Sequence, residues 1–312
     1  MLYERIHPTE YAELQARLVA VEADRSLAEV PNFFPRAAAR TSIDRHVIHR
    51  VEYLLDGADK GAKKRLRALK REALRIQNLL AQVDEQFFVS FRRQIAAGAY
   101  TPAGVRELLR GFVEPCEREE WSDPPRYDPL DTFLDGILRI SLLPRPQLRP
   151  DPEMVYYQPT PARIVLDMVD RLALSPQDVV YDLGSGLGRV VCLVALVSEA
   201  RGIGVEFEPA YAAHAQRSAR ELALARAAFV NADARDVVYA DGTVFFLYTP
   251  FKGAILQRVV ELLRYEAGKR RIRVCTYGPG TLDMAQQEWL VCADDREPGV
   301  DHVAIFESRR AL

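Results

Sequence analysis

Residues 178–206 read D-V-V-Y-D-L-G-S-G-L-G-R-V-V-C-L-V-A-L-V-S-E-A-R-G-I-G-V-E. Val179–Leu183 is short, apolar and β-branched, the pattern of a buried strand. Gly184, Ser185, Gly186 and Gly188 follow at once. Glycines there let the backbone turn sharply and let something flat approach the chain closely. Arg189 to Val197 reads as a helix packed on a sheet. Ile203–Val205 reads as a second strand, and it ends on an acid, Glu206.

Strand, glycine turn, helix, strand and acid make the nucleotide half of a Rossmann-like fold. Glu206 lies 22 positions after Gly184, close to the ~20 expected of a residue that takes ribose hydroxyls. The dinucleotide pattern G-x-G-x-x-G, which seats a pyrophosphate on the helix N-terminus, is broken because Arg189 stands at its third glycine. The spacing present is G-x-G-x-G, preceded by an acid, Asp182. A carboxylate pointing into the loop repels a pyrophosphate. It suits a cationic ligand tail that carries an ammonium and a sulfonium. This stretch resembles motif I of the class I S-adenosylmethionine (SAM) methyltransferases, E/D-x-G-x-G-x-G, with Ser185 between the first two glycines. The resemblance implies that SAM is the cofactor. Asp182, Gly184, Ser185, Gly186 and Gly188 then hold its methionine part, and Glu206 its ribose.

At 312 residues the chain is long enough for two domains and a substantial core. Hydrophobic content of 48% and charged content of 28% describe a soluble, globular protein rather than a disordered one. A net charge of −2 makes no case by itself for a nucleic-acid or membrane partner. The longest apolar runs, such as Val190–Val197, are too short to span a bilayer. The N-terminus shows no signal-peptide pattern, so a cytoplasmic location is expected. Cys116, Cys192, Cys275 and Cys292 are widely spaced and read as reduced thiols. The five histidines are scattered, and no metal site is expected.

Residues 1–140 carry no clear strand signal, so an all-α N-terminal domain is expected over 1–150. Helices are predicted from Pro8 to about Arg25, over Ala37–Leu55, and from Asp59 to about Ala97. In the last of these Leu66, Leu69, Ala73, Ile76, Leu80, Val83 and Phe87 alternate by three and four, one stripe that must bury against another helix or a second subunit. The first half of the same helix is strongly basic: Lys60, Lys63, Lys64, Arg65, Arg67, Lys70, Arg71 and Arg75 against one acid, Glu72. It reads either as a solvated face or as a docking surface for an acidic partner or RNA. A short helix from Thr101-Pro102 follows, then an acidic patch at Glu114, Glu117, Glu119 and Glu120, a loop over Trp121–Pro125, and a helix over Asp131–Ile140. Four prolines between 144 and 152 exclude helix and central strand, and they mark the domain boundary.

The second domain, 151–312, opens with Y-Y-Q-P-T-P. Thr160 and Pro161 predict a cap and first position for a helix whose apolar face is Ile164, Val165, Met168, Val169 and Leu172. Y-x-x-T before a helix that leads into D-L-G-S-G resembles the non-SET histone-lysine methyltransferases and a group of small protein-lysine methyltransferases. That resemblance implies that Tyr157 and Thr160 touch the methionine moiety. The third strand, Phe229–Asp233, places Asp233 where class I methyltransferases hold the adenine amino group. Asp236 is the alternative, and otherwise caps a short turn. Thr243–Leu247 is wholly apolar and so central. It ends in Y-T-P-F, which resembles the N-P-P-F/Y of amino-group methyltransferases without the asparagine. Tyr248 and Thr249 are the polar candidates for the acceptor channel. A fifth strand at Ile272–Thr276 and two final strands, Trp289–Ala293 and His302–Ser308, complete a seven-stranded, mostly parallel sheet with a terminal antiparallel pair.

The expected function is methyl transfer from SAM to a protein, small-molecule or RNA acceptor, with Y-x-x-T suggesting a protein lysine. A homo-oligomer through helix 59–97 is a possible assembly. Two other classes stay open: a SAM-fold binding module without catalysis, and an NAD(P)-binding oxidoreductase.

Overall fold

The computed structural model describes residues 8–110, 127–140 and 143–309. The acidic patch at 114–120, the Trp121–Pro125 loop and Cys116 lie outside the described residues. Contacts divide the chain into two compact units, Met1–Phe91 and Arg92–Leu312.

The first unit is helical: α1 (Pro8–Ala23), a short turn at Arg25–Ala28, α2 (Phe33–Ile43), a π-helical turn at Asp44–Ile48, α3 (His49–Gly57) and the start of α4 (Lys60–Ala96). Leu66, Leu69, Ala73, Ile76 and Leu80 of α4 are buried as the stripe predicts. They pack on Leu14, Leu18, Ile43, Val47 and Val51 of the same chain. Leu66 to Leu80 of the stripe are thus buried within the chain itself. Beyond Leu80 the buried face slips by one residue. Val83 and Phe87 are only half-buried, while Asp84, Phe88 and Phe91 turn inward. A helix turns every 3.6 residues, so a fixed three-four alternation drifts off its face over several turns. Asp84 is tolerated inside because Arg36, fully buried, donates to it at 2.7 Å, and Arg40 pairs with its other oxygen at 2.8 Å. Arg36 also donates to the carbonyls of Leu27 and Val30, so the guanidinium's other donors are used.

The second unit holds α5 (Pro102–Arg110), α6 (Pro129–Leu138), α7 (Ala162–Leu172) and the sheet. The strands are β1 (Val179–Leu183), β2 (Arg201–Glu206), β3 (Ala227–Asn231), β4 (Val244–Leu247), β5 (Arg273–Thr276), β6 (Leu290–Cys292) and β7 (Ala304–Ser308). Their order is β3-β2-β1-β4-β5-β7-β6, parallel except where β7 meets β5 and β6. This is the Rossmann-like sheet with a terminal antiparallel pair that the motifs predict. Helices α8 (Arg189–Val197), α9 (Pro209–Glu221), α10 (Gly253–Ala267) and α11 (Gly280–Ala285) connect the strands.

Alternate residues of the central strands, Tyr181, Leu183, Ile203, Val205, Phe245 and Leu247, share one core with Ile255, Leu256, Val259, Val260 and Leu263 of α10. Strands buried on both faces read as unbroken apolar runs, which is why β4 carries no polar residue. On the α8 side Gly202 lets the helix sit close to the sheet, since a Cβ there would stand 3.0 Å from the Val191 side chain. Helix α9 ends at Glu221, and the chain then turns through left-handed Ala223 (φ 53°) into β3.

Candidate functional site

The parallel order reverses between β1 and β4, and β1 runs straight into the glycine loop. The crevice beyond the carboxyl ends of such strands is where ligands of open α/β sheets bind. A cavity of about 400 Å³ lies there, within the range of about 300–1,000 Å³ typical of small-molecule sites. Its walls include Gly184, Gly186, Glu206, Asp233, Tyr157, Tyr248 and Thr249. A smaller recess of about 30 Å³ adjoins it, sharing Tyr157, Gln158, Gly184 and Tyr248 and adding Thr160, Asp182, Ser185 and Arg189.

The loop glycines are required by close approach. Gly184 (φ +80°) passes Pro250, where a Cβ would stand 2.3 Å away. Gly186 (φ +52°) lies under the Tyr157 ring, which a Cβ would meet at 2.2 Å. Gly188 (φ +83°) starts α8 against Ala215 and Phe229. The Gly186 N–H donates to Glu206 Oε2 at 2.7 Å, and the Glu208 N–H donates to Oε1 at 2.8 Å. Glu206 is thus held in one orientation at the cavity wall. Burial still raises its pKa, against these two donors.

Asp182 is buried below the loop. Burial and the neighbouring Glu206 charge push its carboxyl up to about 8. No described residue donates a hydrogen bond to it. Nearby, the Ser185 Oγ and the Tyr157 hydroxyl are buried with no partner among the described residues. Buried polar atoms normally find partners, so an acid and two hydroxyls gathered without them mark a place where a ligand's polar groups fit.

Asp233 lies two residues past β3 rather than at its end. Its side chain caps the short turn Ala234–Asp236, accepting from the Arg235 N–H at 2.9 Å. Asp236, the residue expected to cap, is instead inside the turn. The Arg235 guanidinium also grips Asp233 at 3.0 and 2.8 Å, and it holds the carboxyl below its usual range.

The Y-x-x-T segment departs from expectation at Thr160. Helix α7 starts at Ala162 and Pro161 precedes it, with no side-chain cap from its own segment. Asp131 of α6 supplies the cap from a distance, accepting from the Ala162 N–H at 2.8 Å. Asp131 also takes Arg189 at 2.5 Å, and Arg189 reaches Asp135 and the Thr160 carbonyl. Burial disfavours a charged Arg189, but Asp135 and Asp131 overcome this and keep it ionised. The arginine that breaks the dinucleotide pattern is therefore a buried strut that ties α6 and the Thr160 loop to the glycine loop. Sequence reading gave it no such role. The available signal was its place as the lone charge at the head of the apolar run 190–197, which requires a buried partner.

Two carboxylates hold the proline-rich segment over the cavity. Glu208 accepts from the N–H groups of Gln147 and Leu148 at 2.8 and 2.9 Å. Glu153 accepts from the Ile255 N–H at 2.9 Å, and a single antiparallel bridge joins Met154 to Phe251. Pro146, Leu148, Pro150, Met154 and Tyr156 then complete the wall.

At the end of β4 the Tyr248 hydroxyl donates to Gln158 Oε1 at 2.8 Å, and its ring packs on Tyr277 at 5.0 Å. Thr249 adopts φ 41°, unusual for a β-branched residue. Its Oγ1 accepts from the Gly280 N–H at 3.1 Å. Strain of this kind, on the order of 1–3 kcal/mol, gathers at functional sites. Tyr248–Phe251, Ile255 and Pro279 line the cavity together with the acids Glu206, Glu208 and Asp233.

Residues 152–233 match the family model described as histone methylation protein DOT1. That stretch contains Tyr157, Thr160, the glycine loop, Glu206 and Asp233, and it stops short of Tyr248 and Thr249. No curated protein shows a significant match to the chain. Among solved structures the chain is similar to an RNA methyltransferase from Salinibacter ruber in complex with S-adenosyl-L-homocysteine. They share 27% identity over 48% of this chain and 92% of that one, with a TM-score of 0.38. It is also similar to a precorrin-6y C5,15-methyltransferase from Geobacter metallireducens, at 15% identity over 53% of this chain and 95% of that one, TM-score 0.36.

Proposed function

We propose that this chain is a SAM-dependent methyltransferase that acts on a protein lysine, with the catalytic body in residues 151–312 and the preceding helices covering or presenting the substrate. The observation that carries the reading is the set of acids around a glycine-lined cavity and the recess that adjoins it: Asp182 without a donor in the recess, Glu206 fixed by two N–H groups, and Asp233 in the cavity lining. A ligand with a cationic tail, a ribose and an adenine fits that sequence of groups. Asp182, Ser185, Tyr157 and Thr160 would hold the methionine end, Glu206 the ribose hydroxyls and Asp233 the adenine amino group. When bound, SAM supplies a methyl carbon already activated by its sulfonium.

The protein's own contribution is alignment and exclusion of water. Correct orientation of reactants accounts for roughly 7–11 kcal/mol of a bimolecular barrier. A lysine acceptor must arrive neutral, and burial among the apolar and aromatic side chains of Tyr248–Phe251 lowers an amine's pKa. Tyr248, anchored by Gln158, lines both cavities and stands where the acceptor channel meets the cofactor site.

The test is transfer of labelled methyl from SAM to fractionated lysate, treated separately with protease and with RNase. Protease-sensitive label recovered as methyl-lysine supports the proposal. RNase-sensitive label removes the lysine assignment. Tight SAM binding with no transfer to any fraction would favour the second reading, a binding module without catalysis, for which the missing asparagine of the N-P-P-F/Y-like stretch Y-T-P-F speaks.

A further inference from the structure

The basic half of α4 is not explained by the cavity or by the core of the first unit. Lys60, Lys64, Arg67 and Arg71 are all exposed. Their spacing of four, three and four residues stacks them in one row along the helix, each about 5–6 Å from the next. The row spans about 17 Å at a rise of 1.5 Å per residue. It lies opposite Ala62, Leu66, Leu69 and Ala73, which α4 buries, so it faces outward.

Of the other four cations of this stretch, two have acid partners. Lys70 pairs with Glu52 at 2.6 Å, and Arg75 pairs with Glu72 at 2.6 Å and with Glu22. Asp59, at the foot of the row, is used as a cap and accepts from the Ala62 N–H at 2.8 Å. Among the described residues, Lys60, Lys64, Arg67 and Arg71 enter no ion pair. Four like charges thus stand in line without compensation, in a chain whose net charge is −2.

The surroundings of the row decide what it fits. No large apolar side chain is exposed between residues 60 and 71, and on the row's own face the first is a single leucine, Leu74, just past its end. Protein interfaces are anchored by aromatic and apolar side chains, and lysine is depleted at their cores. Nucleic-acid interfaces are polar and strongly positive. No aromatic side chain interleaves with the row, which removes the stacking platform that splayed single strands need. Gly61 and Ala68, small and exposed, let a backbone lie close. An A-form duplex sets successive phosphates nearer together along a strand than B-form does, closer to the pitch of this row. It is read through shape and phosphates rather than through its bases.

We propose that the row Lys60–Lys64–Arg67–Arg71 is a docking surface for the phosphate backbone of double-stranded RNA. It stands on the first unit alone, and it survives or fails independently of what the cavity binds.

The test uses the full chain and a labelled blunt RNA duplex, followed by fluorescence anisotropy. Competitor arms are the DNA duplex of the same sequence, the single RNA strand and poly-glutamate. Four neutralised phosphates predict a log–log salt slope near −3.6, so affinity falls about 150-fold between about 50 and 200 mM salt. The variant Lys60→Gln, Lys64→Gln, Arg67→Gln, Arg71→Gln loses that binding and most of the slope, with an unchanged circular-dichroism melt. Arg67→Lys with Arg71→Lys retains both. Equal binding by the fourfold variant, tighter binding of DNA duplex, single strand or poly-glutamate, or no RNA duplex binding at low salt would each overturn the proposal.

Discussion

Asp182 gives the site a pH signature that the reading of the cavity can be judged by. In the free protein its carboxyl is pushed up to about 8 by burial and by Glu206. At pH 7 about nine-tenths of the molecules therefore carry a proton there. A cationic ligand tail seated against Asp182 reverses the balance and pulls the carboxyl well below about 6, toward the ordinary carboxylate range. Binding must then release nearly one proton at pH 7. Affinity rises about tenfold from pH 6 to pH 7, or 1.4 kcal/mol, and levels off above about pH 8. The assay is calorimetry of SAM binding in two buffers of different ionisation enthalpy, repeated with Asp182→Asn. The variant keeps the shape of the side chain and loses the titration. Its affinity at pH 8 should fall about 10- to 100-fold, the worth of one charge-assisted hydrogen bond of roughly 1.5–3 kcal/mol. No proton release by the wild type, or the same release by Asp182→Asn, would refute the placement of a cation at this carboxylate.

The same carboxyl sets a sign for the free protein. Its pKa is higher folded than unfolded, so its contribution to stability is fully present below about pH 4 and is lost as pH rises through about 8. Asp182→Asn should therefore raise the melting temperature more at pH 8 than at pH 5, by thermal denaturation without ligand. Gly186→Ala places a Cβ 2.2 Å from the Tyr157 ring at φ +52°. It should cost about 1–3 kcal/mol and abolish SAM binding, with Tyr157→Ala in the same chain recovering part of the stability in a denaturant titration. Arg189→Leu strands Asp131 and Asp135 without their cation. A loss of about 3–5 kcal/mol is expected, reduced when Asp131→Asn is added. Asp84→Ala leaves Arg36, fully buried, without its carboxylate. It should cost a similar ~3–5 kcal/mol, read as a lower denaturation midpoint, while Arg40→Ala alone costs far less.

What was legible in the chain was what is local. The strand, glycine turn, helix and acid from 179 to 206 follow within one stretch, and apolar runs of four or five residues locate the central strands. The contacts that were not legible join residues far apart. Asp131 caps α7 across 31 positions and takes Arg189 across 58. Glu208 reaches back 61 positions to Gln147. No periodicity announces such pairs, since each depends on how finished elements pack. Thr160 illustrates the difference. As a residue before proline it carried a cap signal, yet the donor at Ala162 is satisfied by a carboxylate that only the folded chain brings near. The slip of α4's buried face after Leu80 has a similar source, because Asp84 turns inward only where Arg36 is there to meet it.

The segment clasped by Glu208 and Glu153 is unusually stiff before it is clasped, because four prolines between 144 and 152 restrict its φ angles in any state of the chain. A stiff flap has little disorder to lose when it settles over the cavity, so shutting it is cheap. Exchange of whatever lies beneath should then depend less on a floppy loop searching for its seat than on how often its carboxylate–amide contacts and the Met154–Phe251 bridge come undone together.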